Sequence, residues 1–340
     1  MKTSSFSFNL PPELIAAHPA EGRSSSRLMV CSRNTRKRIH THFRELPDHI
    51  PDDMMIILNN TLVRKARLFG TAEETGGRVE FLLVSPSEDH LTWKCISSKK
   101  KKQKQGKRFN FPGNVAGEIS GKTEECLIIQ FDRPVDDQYL QIHGQIPLPP
   151  YLKREPEPSD EKNYQTVYGN IPGSVAAPTA GLHFTPRILD ELAKKSIPVH
   201  PVTLHVGIGT FLPVRTGTVE EHRMHSEWYE VPEHTAEMIN SHKKAGGRIL
   251  TVGTTSTRTL ETACRNGKVI PGEGVSSLFI YPGYSFKMAD ALITNFHTPE
   301  STLLMLVCAF GGTSFMLDSY REAVKLRYRF YSYGDSMLII

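Results

Sequence analysis

The chain has 340 residues, of which 39% are hydrophobic, and its formal net charge is +5. This length accommodates two domains of ordinary size, and the mild positive charge permits a polyanionic partner without requiring one. The longest uninterrupted apolar stretch near the C-terminus, residues 303–310, is far shorter than the about 20 residues of a membrane-spanning helix, which argues against a membrane protein.

The N-terminus and the cysteines indicate the cellular compartment. The first ten residues contain one lysine and three serines but no apolar segment of the kind found in secretory signals. The five cysteines are scattered and form no CxxC pair, as expected for reduced thiols. We therefore expect a soluble, cytoplasmic protein without membrane contact, and we expect it to be a monomer.

An apolar run at residues 54–58, bounded by Pro, Asp and Asn residues, predicts a buried strand early in the chain. From residue 63 to about residue 151 the character changes, because short β-like runs recur between Gly, Pro, Asn and Asp residues. These runs lie at residues 78–84, 91–96, 107–111 and 126–131. They predict an all-β barrel domain inserted at residues 63–151.

Helices and strands alternate after this module. Residues 155–161, which are acidic and proline-rich, are expected to form a surface loop, and Thr185 with Pro186 is suited to begin a helix. The further predicted elements are strands at 199–206, 249–252, 277–281 and 291–295, and helices at 234–245, from about 256, at 302–310 and at 319–326. This alternation predicts an α/β fold with a mixed-sheet main domain comprising residues 1–62 and 152–340.

Two glycine-containing segments suggest nucleotide binding but are better explained otherwise. The string AGEISGKT at residues 116–123 resembles a phosphate loop, yet β-like runs flank it where a phosphate loop needs a helix after it, so a hairpin turn is favoured. Gly207 and Gly209 match part of a dinucleotide fingerprint, but Leu212 is too large for its third position.

A metal site is a further alternative. His222, His225 and Glu227 are close in sequence, with His205 nearby, but their spacing is not HExxH and a fourth ligand is not evident. We therefore expect no metal, and a metal-dependent hydrolase that uses His205, His222 and His225 stays an alternative.

Polar residues recur where the predicted strands of the second half end. His183 lies just before a helix cap, His205 lies near the end of a strand, and Gly253-Thr254-Thr255-Ser256 and Asn295-Phe296-His297 each follow a buried run. Ligands of α/β sheets bind outside the carboxyl ends of strands. Several polar strand ends in one domain therefore predict a substrate pocket.

Long strings at these positions identify a family resemblance. The strings include PGSVAAPTAGLHFT (172–185), VTLHVGIGTFLPV (202–214), HSEWY (225–229), VGTTSTRTLE (252–261) and TNFHTPESTLLML (294–306). In this order they resemble the S-adenosylmethionine:tRNA ribosyltransferase-isomerase family over nearly the whole chain. The resemblance implies an α/β domain interrupted by a β-barrel.

The resemblance also implies a reaction. The ribosyl part of S-adenosylmethionine, as cosubstrate, would be transferred to the aminomethyl group of 7-aminomethyl-7-deazaguanine at the wobble position of tRNA and isomerised. Epoxyqueuosine-tRNA, adenine and methionine would be the products, and no metal is implied. A tRNA that carries this precursor base is the expected partner.

This chemistry requires groups that move protons. The acceptor amine has a pKa near that of lysine, about 10.4, so a general base or a desolvated pocket must free its lone pair. A proton acceptor at C5′ and an acid for the leaving adenine are also useful. Because histidine titrates near neutrality, the expected catalytic residues are His183, His205, His225 and His297, with Glu227 as base or orienting carboxylate.

The cosubstrate needs partners for its carboxylate, sulfonium and adenine. For the carboxylate we expect Thr254, Thr255, Ser256 and Arg258, at the start of a helix. Tyr281, Phe296 or Trp228 would flank the sulfonium and adenine by cation–π contact or stacking. Core packing explains these aromatic residues equally well.

The tRNA needs cations. One stretch of ten residues in the β-module contains seven cationic side chains, namely Lys99, Lys100, Lys101, Lys102, Lys104, Lys107 and Arg108. Such a run would bind phosphates with strong salt dependence, although a solvated loop explains it equally well. Arg64 and Arg67, at the start of the module, form a second candidate surface.

The sequence departs from the family pattern at three positions. Asn60 and Leu62 stand where the family usually has Asp and Arg, and Glu300 stands where a lysine is common. These changes leave open a paralogue that acts on a related substrate. An RNA-binding protein without catalysis is another alternative, against which the intact histidine and Gly-Thr-Thr segments argue.

Overall fold

The structure is a computed structural model that describes residues 1–97, 100–152, 154–207, 209, 214 and 216–340. In chain order the strands are β1 (Arg27–Cys31), β2 (Arg38–His42), β3 (Met54–Asn59), β4 (Thr61–Val63), β5 (Arg67–Ala72), β6 (Arg78–Pro86), β7 (Thr92–Ile96), β8 (Arg108–Phe111), β9 (Val115–Lys122), β10 (Leu127–Phe131), β11 (Ile171–Ser174), β12 (Val199–Leu204), β13 (Glu227–Val231), β14 (Arg248–Val252), β15 (Cys264–Arg265), β16 (Lys268–Val269), β17 (Gly272–Ser276), β18 (Ala291–Asn295) and β19 (Ser336–Ile339). The α-helices are α1 (Asp137–His143), α2 (Asp160–Asn163), α3 (Pro186–Lys194), α4 (Glu233–Lys244), α5 (Gly253–Ala263), α6 (Thr302–Gly311) and α7 (Thr313–Lys325).

The main sheet is mixed. Its nine strands among the described residues are ordered β17-β13-β12-β3-β14-β18-β19-β1-β2. The four central strands β12, β3, β14 and β18 are parallel to one another. On one side β13 is antiparallel to β12 and β17 is antiparallel to β13; on the other side β19 is antiparallel to β18, β1 is parallel to β19, and β2 is antiparallel to β1. Because parallel strands share their direction, the carboxyl ends of these four strands lie at the same edge of the sheet.

Strands β5 to β10 form a closed antiparallel barrel in the order β10-β7-β6-β5-β8-β9. Alternate residues of β6 point into it, and its core includes the fully buried Phe81, Trp93 and Phe109. The predicted α/β fold with a mixed sheet and an all-β barrel is confirmed. The domain limits stay a prediction. The expected junction at residue 62 falls inside β4, which pairs with β11 of the main domain.

Local sequence explains two elements that were predicted well. All six residues of β3 are buried, as expected for a strand between parallel neighbours with both faces covered. At the start of α3, Thr185 Oγ1 accepts a hydrogen bond from Ile188 N at 3.3 Å, and Pro186 occupies the first helical position. Ile188 and Leu192 then bury one face of the helix.

Four sequence predictions differ from the structure, in whole or in part. Residues 116–123 form most of β9 rather than a hairpin turn, and the turn that follows is closed by Thr123 N donating to Cys126 O. A strand was expected at residues 277–281, but the strand in this region is β17, which ends at Ser276. Helix α7 begins at Thr313 rather than at residue 319. The expected surface loop at 155–161 contains Asp160, which is buried because its carboxylate pairs with Arg154 at 2.6 Å.

No single helix in the described part of the chain is long and apolar enough to cross a membrane. By length and composition alone, α6 and α7 together meet the criterion, but they bend by 117° at the break between them.

Candidate active site

A cavity of about 550 Å³ opens at the carboxyl ends of the parallel strands. Its walls come from the chain that leaves the barrel, the segment after β11, the loop after β12, the start of α5, the end of β18 with the residues after it, and a C-terminal turn. The lining residues are Pro150, Tyr151, Ala176, Ala177, Pro178, Thr179, Ala180, Val206, Val214, Gly253, Thr254, Thr255, Thr294, Asn295, His297, Thr298, Pro299, Glu300, Ser301, Leu303, Tyr331 and Ser332. Several of the polar strand ends therefore meet in one cavity.

The start of α5 forms one wall. The helix follows β14 through Gly253, whose φ of +86° lies in the left-handed region that glycine adopts without strain. Among the described residues no side chain caps this end, so backbone N–H groups of the first turn remain to bind an anion. Thr254 and Thr255 line the cavity here, and the buried Thr255 Oγ1 has no hydrogen-bond partner in the described chain. This wall can hold a carboxylate.

His297 lines the cavity beyond the end of β18. Its Nε2 lies 2.7 Å from Thr294 Oγ1, and its backbone N–H donates to the hydroxyl of Tyr320 at 3.1 Å. Burial lowers the pKa of His297 to about 3, because desolvation disfavours the imidazolium. The ring is therefore neutral at physiological pH.

The lining of the cavity does not include His183 and His205. His183 Nδ1 is 2.7 Å from Ser26 Oγ, and its Nε2 is 3.2 Å from the amide nitrogen of Asn295. The His205 ring stacks on Trp228, with ring centroids 4.7 Å apart. Burial lowers the pKa of both histidines to about 4, with a smaller contribution from a nearby arginine in each case. The expectation that the histidines titrate near neutrality is therefore wrong for His183, His205 and His297.

Comparison with known proteins agrees with this architecture. Residues 3–339 match the profile of a family described as "Queuosine biosynthesis protein". Proteins of Trichlorobacter lovleyi and Thermotoga maritima that are named S-adenosylmethionine:tRNA ribosyltransferase-isomerase are 48% and 46% identical to this chain, with 100% of each chain covered. The chain belongs to the S-adenosylmethionine:tRNA ribosyltransferase-isomerase family.

A solved structure extends the comparison to the fold of this enzyme family. The crystal structure of S-adenosylmethionine tRNA ribosyltransferase from Thermotoga maritima covers 99% of this chain and 100% of its own. The sequences are 37% identical in this alignment and the TM-score is 0.56. The predicted family is thus confirmed over the whole length.

Ser256, Arg258 and Glu227 do not line the cavity. Ser256 Oγ donates to Val252 O at 2.8 Å within its own helix. Arg258 is buried and pairs with Glu227, whose other carboxylate oxygen accepts a hydrogen bond from Gly207 N at 2.9 Å. The predicted contacts of Ser256 and Arg258 with the cosubstrate carboxylate do not fit this geometry. The pair instead connects α5 to the loop after β12.

Two of the three aromatic residues predicted to flank the cosubstrate, Phe296 and Tyr281, have other contacts. Phe296 is fully buried, and its ring centroid lies 5.2 Å from that of Tyr328 and 5.3 Å from that of Tyr320. Tyr281 packs against Phe279 at 5.1 Å. The core-packing explanation fits Phe296, and neither residue is among those that line the cavity.

His225 lies between the two domains. Its Nδ1 is 3.4 Å from a carboxylate oxygen of Glu125, in the turn between β9 and β10. Its side chain is partly exposed and does not line the cavity. Its catalytic role stays a prediction, and in this structure His225 makes a contact between the barrel and the main domain.

The predicted tRNA-binding cations fall into two groups. Arg64 pairs with Asp137 at 2.6 Å, and Arg67 pairs with Glu80 at 3.0 Å and with Glu155 at 2.7 Å, so both guanidinium groups are neutralised. The second group comprises the partly buried Lys100 and the exposed Lys101, Lys102 and Lys104. Lys99 lies outside the described residues. Lys100 Nζ donates to the backbone oxygen of Glu124, whereas Lys101, Lys102 and Lys104 are exposed to an anionic partner. The two arginines are engaged within the protein.

The metal alternative finds no support in the described residues, where no group of three or more His, Cys, Asp or Glu side chains is placed to hold an ion. The three departures from the family pattern lie apart from one another. Glu300 lines the cavity, Leu62 lies in β4, and the buried Asn60 accepts a hydrogen bond from Thr203 Oγ1 at 2.8 Å. Of the three, Glu300 is placed to contact a bound substrate.

Asn295, Tyr151 and Tyr331 line the cavity, although the sequence assigned no individual role to any of them. Asn295 is the last residue of β18 and directly precedes two predicted site residues. A strand end shows that polar groups are near a ligand, but side chains alternate between faces. The sequence alone therefore does not separate Asn295 and His297, which face the cavity, from Phe296, which faces the core.

Proposed function

We propose that this chain transfers the ribosyl moiety of S-adenosylmethionine to 7-aminomethyl-7-deazaguanine at the wobble position of tRNA and isomerises it. Its products would be epoxyqueuosine-tRNA, adenine and methionine. The match to the family over the full length of both chains carries this proposal. A cytoplasmic, monomeric enzyme without a metal is part of it.

The methionine end of S-adenosylmethionine is assigned to the start of α5. Its carboxylate would accept hydrogen bonds from the first-turn N–H groups and from the hydroxyls of Thr254 and Thr255. The unpartnered Thr255 Oγ1 supports this assignment, because a buried hydroxyl without a hydrogen-bond partner is costly and a carboxylate would supply one. Glu300 supplies a carboxylate to the same cavity and so complements the positive sulfonium.

The acceptor amine must lose a proton before it attacks. With a pKa near 3, His297 is too weak a base to hold that proton, since an alkylamine has a pKa of about 10.4 in water. A desolvated cavity that also holds a sulfonium cation would lower the pKa of the amine. We therefore assign to His297 a neutral hydrogen-bonding role at the reacting groups, and to Glu300 a carboxylate that offsets the positive charge of the bound substrates.

The tRNA is assigned to the lysine-bearing side of the barrel. Lys100, Lys101, Lys102 and Lys104 would contact phosphates around the anticodon, whose wobble base must leave the stack to reach the cavity. Tyr151 joins the two regions, because it follows the barrel in the chain and lines the cavity.

Mass spectrometry of nuclease-digested tRNA tests the function. Precursor-bearing tRNA incubated with the protein and S-adenosylmethionine should gain the epoxyqueuosine mass, with equimolar release of adenine and methionine. The His297→Ala variant should lower turnover more than tRNA affinity, whereas His234→Ala, at an exposed position of α4, should behave as the wild type. Bound but unmodified tRNA with the wild-type protein would instead favour an RNA-binding protein without catalysis.

A further inference from the structure

The amide of Asn295 presents a buried acceptor to the cavity. The residue is 1% exposed, and its Nδ2 donates to the backbone oxygen of Tyr331 at 3.1 Å and to His183 Nε2 at 3.2 Å. A longer contact of 3.4 Å joins Nδ2 to Ser332 O. Among the described residues Oδ1 has no hydrogen-bond partner. The donor side of the amide is therefore saturated, and its acceptor side is free.

The surrounding groups fix this orientation. A reversed amide would place Oδ1 against two backbone carbonyl oxygens, which cannot donate a hydrogen bond. His183 accepts at Nε2, so its proton resides on Nδ1 and is donated to Ser26 Oγ at 2.7 Å. The ring of His183 packs on Phe43, with centroids 5.0 Å apart. His183 therefore acts as a positioning residue that holds Asn295 from behind.

Tyr331 supplies an aromatic surface beside this acceptor. It lies in the left-handed region at φ +71°, which is strained for an aromatic residue, and its backbone N–H donates to Phe296 O at 3.0 Å. Its ring lies 4.0 Å from that of Tyr151, and both residues line the cavity. Aromatic rings beside a hydrogen-bonding group are the arrangement that binds unstacked nucleobases.

The chemistry of the acceptor distinguishes between the two purine-like rings of the reaction. An asparagine that recognises adenine usually donates and accepts at once, through its amide nitrogen and oxygen. The amide nitrogen of Asn295 is already engaged, so only acceptance remains. The Watson–Crick edge of 7-deazaguanine carries two adjacent donor groups, N1–H and the exocyclic amine. The same edge of adenine has one donor group beside an acceptor, so a lone acceptor suits 7-deazaguanine better.

We propose that Asn295 Oδ1 accepts a hydrogen bond from the Watson–Crick edge of the extruded 7-deazaguanine, whose ring stacks on Tyr331. Asn295 then determines specificity for the tRNA base, and His183 positions it. This inference rests on the proposed function, because it assumes that the precursor base enters the cavity.

Steady-state kinetics and binding of Asn295→Leu test the inference, because leucine keeps the approximate shape but removes the amide, including the acceptor Oδ1 and the donor that binds Tyr331 O. We expect the KM for precursor-bearing tRNA to rise about tenfold, with kcat and the calorimetric affinity for S-adenosylmethionine within threefold of wild type. The matched control is Asn240→Leu. This amide binds the backbone of Val269 far from the lining, and its loss should leave both constants unchanged.

A second variant keeps the test independent of folding. Tyr331→Gly retains the carbonyl that holds Asn295 and relieves the positive φ, but it removes the stacking ring. It should also raise the KM for tRNA several-fold. The relieved φ offsets part of the packing lost on Tyr151, so urea unfolding should show that the variant stays folded.

The outcomes separate this inference from the proposed function. Weakened S-adenosylmethionine binding with an unchanged KM for tRNA in Asn295→Leu would overturn it, since the acceptor would then face the cosubstrate. Unchanged constants in both Asn295→Leu and Tyr331→Gly would also overturn it. In either case a wild-type protein that modifies tRNA leaves the proposed function intact, whereas a wild-type protein that does not modify tRNA contradicts that function itself.

Discussion

The cavity and the barrel surface place their polar groups in opposite surroundings. In the cavity, His297 and Asn295 are buried and neutral, and the pKa of His297 is lowered to about 3 by desolvation. On the barrel, Lys101, Lys102 and Lys104 are exposed and charged. The two regions therefore differ in the source of their charge. In the cavity most of the charge comes from the bound substrates, whereas the barrel surface is charged before tRNA binds.

The arginines follow the same division. Arg258 is buried in the main domain beside Glu227, whereas Arg67 on the barrel shares two partly exposed carboxylates. A buried pair whose partner is removed leaves an unpaired charge in a poorly solvated place, whereas an exposed pair is replaced by water. Loss of Arg258 should therefore mainly lower the free energy of unfolding.

The largest expected effect is the loss of the buried pair. Arg258→Ala should lower the free energy of unfolding by about 3–5 kcal/mol, because it leaves the Glu227 carboxylate buried without its partner. Urea unfolding measures the change. The double variant Arg258→Met with Glu227→Leu should recover much of the loss, since it removes both charges together.

The exposed pair between Arg187 and Glu191 in α3 provides the control. Arg187→Ala should change the free energy of unfolding by less than about 1 kcal/mol. A folded Arg258 variant that loses affinity for S-adenosylmethionine but little stability would contradict the comparison and return Arg258 to the cosubstrate site.

A smaller effect is expected from the buried neutral histidines. The pKa of His297 is about 3 in the folded protein and about 6.5 in the unfolded chain, so the unfolded state binds more protons at acid pH. The stabilisation is complete above about pH 6.5 and is lost as the pH falls toward the folded value. Between pH 6 and pH 4.5 this histidine should cost about 2 kcal/mol of stability.

The difference between variants isolates this contribution from that of the carboxylates. His297→Gln should show a shallower decline of the free energy of unfolding with falling pH than the wild type. His234→Gln, at an exposed position, should follow the wild-type curve. Equal curves for His297→Gln and wild type would mean that His297 is solvated and protonates normally, which would contradict the neutral cavity.

Particular elements show how far the sequence could predict the fold. The apolar run of β3 and the Thr185-Pro186 start of α3 were readable because each signal is local. The strand β9 was not, because AGEISGKT contains glycines and charges that resemble a turn, and only pairing with β8 and β10 makes it a strand. Tertiary pairing there outweighs the local preference.

The candidate site was predictable to the level of segments. The start of α5 and the end of β18 were found, since polar residues followed apolar runs at both places. The sequence did not show that Arg258 lies outside the cavity lining, because its buried partner Glu227 comes from a strand 31 residues away in the sequence. The position of Tyr331 in the lining was not predictable either, because Tyr331 follows no predicted strand.

The smallest expected effect tests the other half of the comparison. The triple variant Lys101→Gln, Lys102→Gln and Lys104→Gln should weaken tRNA binding at low salt and reduce the slope of log K against log salt by about 2, because each lost phosphate contact removes about 0.7 to 0.9 from it. Stability and the affinity for S-adenosylmethionine should not change, since these side chains are exposed and far from the lining residues. Fluorescence titration across salt concentrations measures the slope.

A matched variant separates position from net charge. Lys244→Gln, Lys268→Gln and Lys325→Gln remove the same three charges from exposed positions of the main domain. If the barrel lysines contact tRNA, only the barrel variant should lose slope, because counterions are released only where phosphates come close. Equal slopes for the two triple variants would mean that the barrel lysines are solvated and do not contact tRNA. The cavity and the barrel surface would then differ only in how deeply their polar groups are buried.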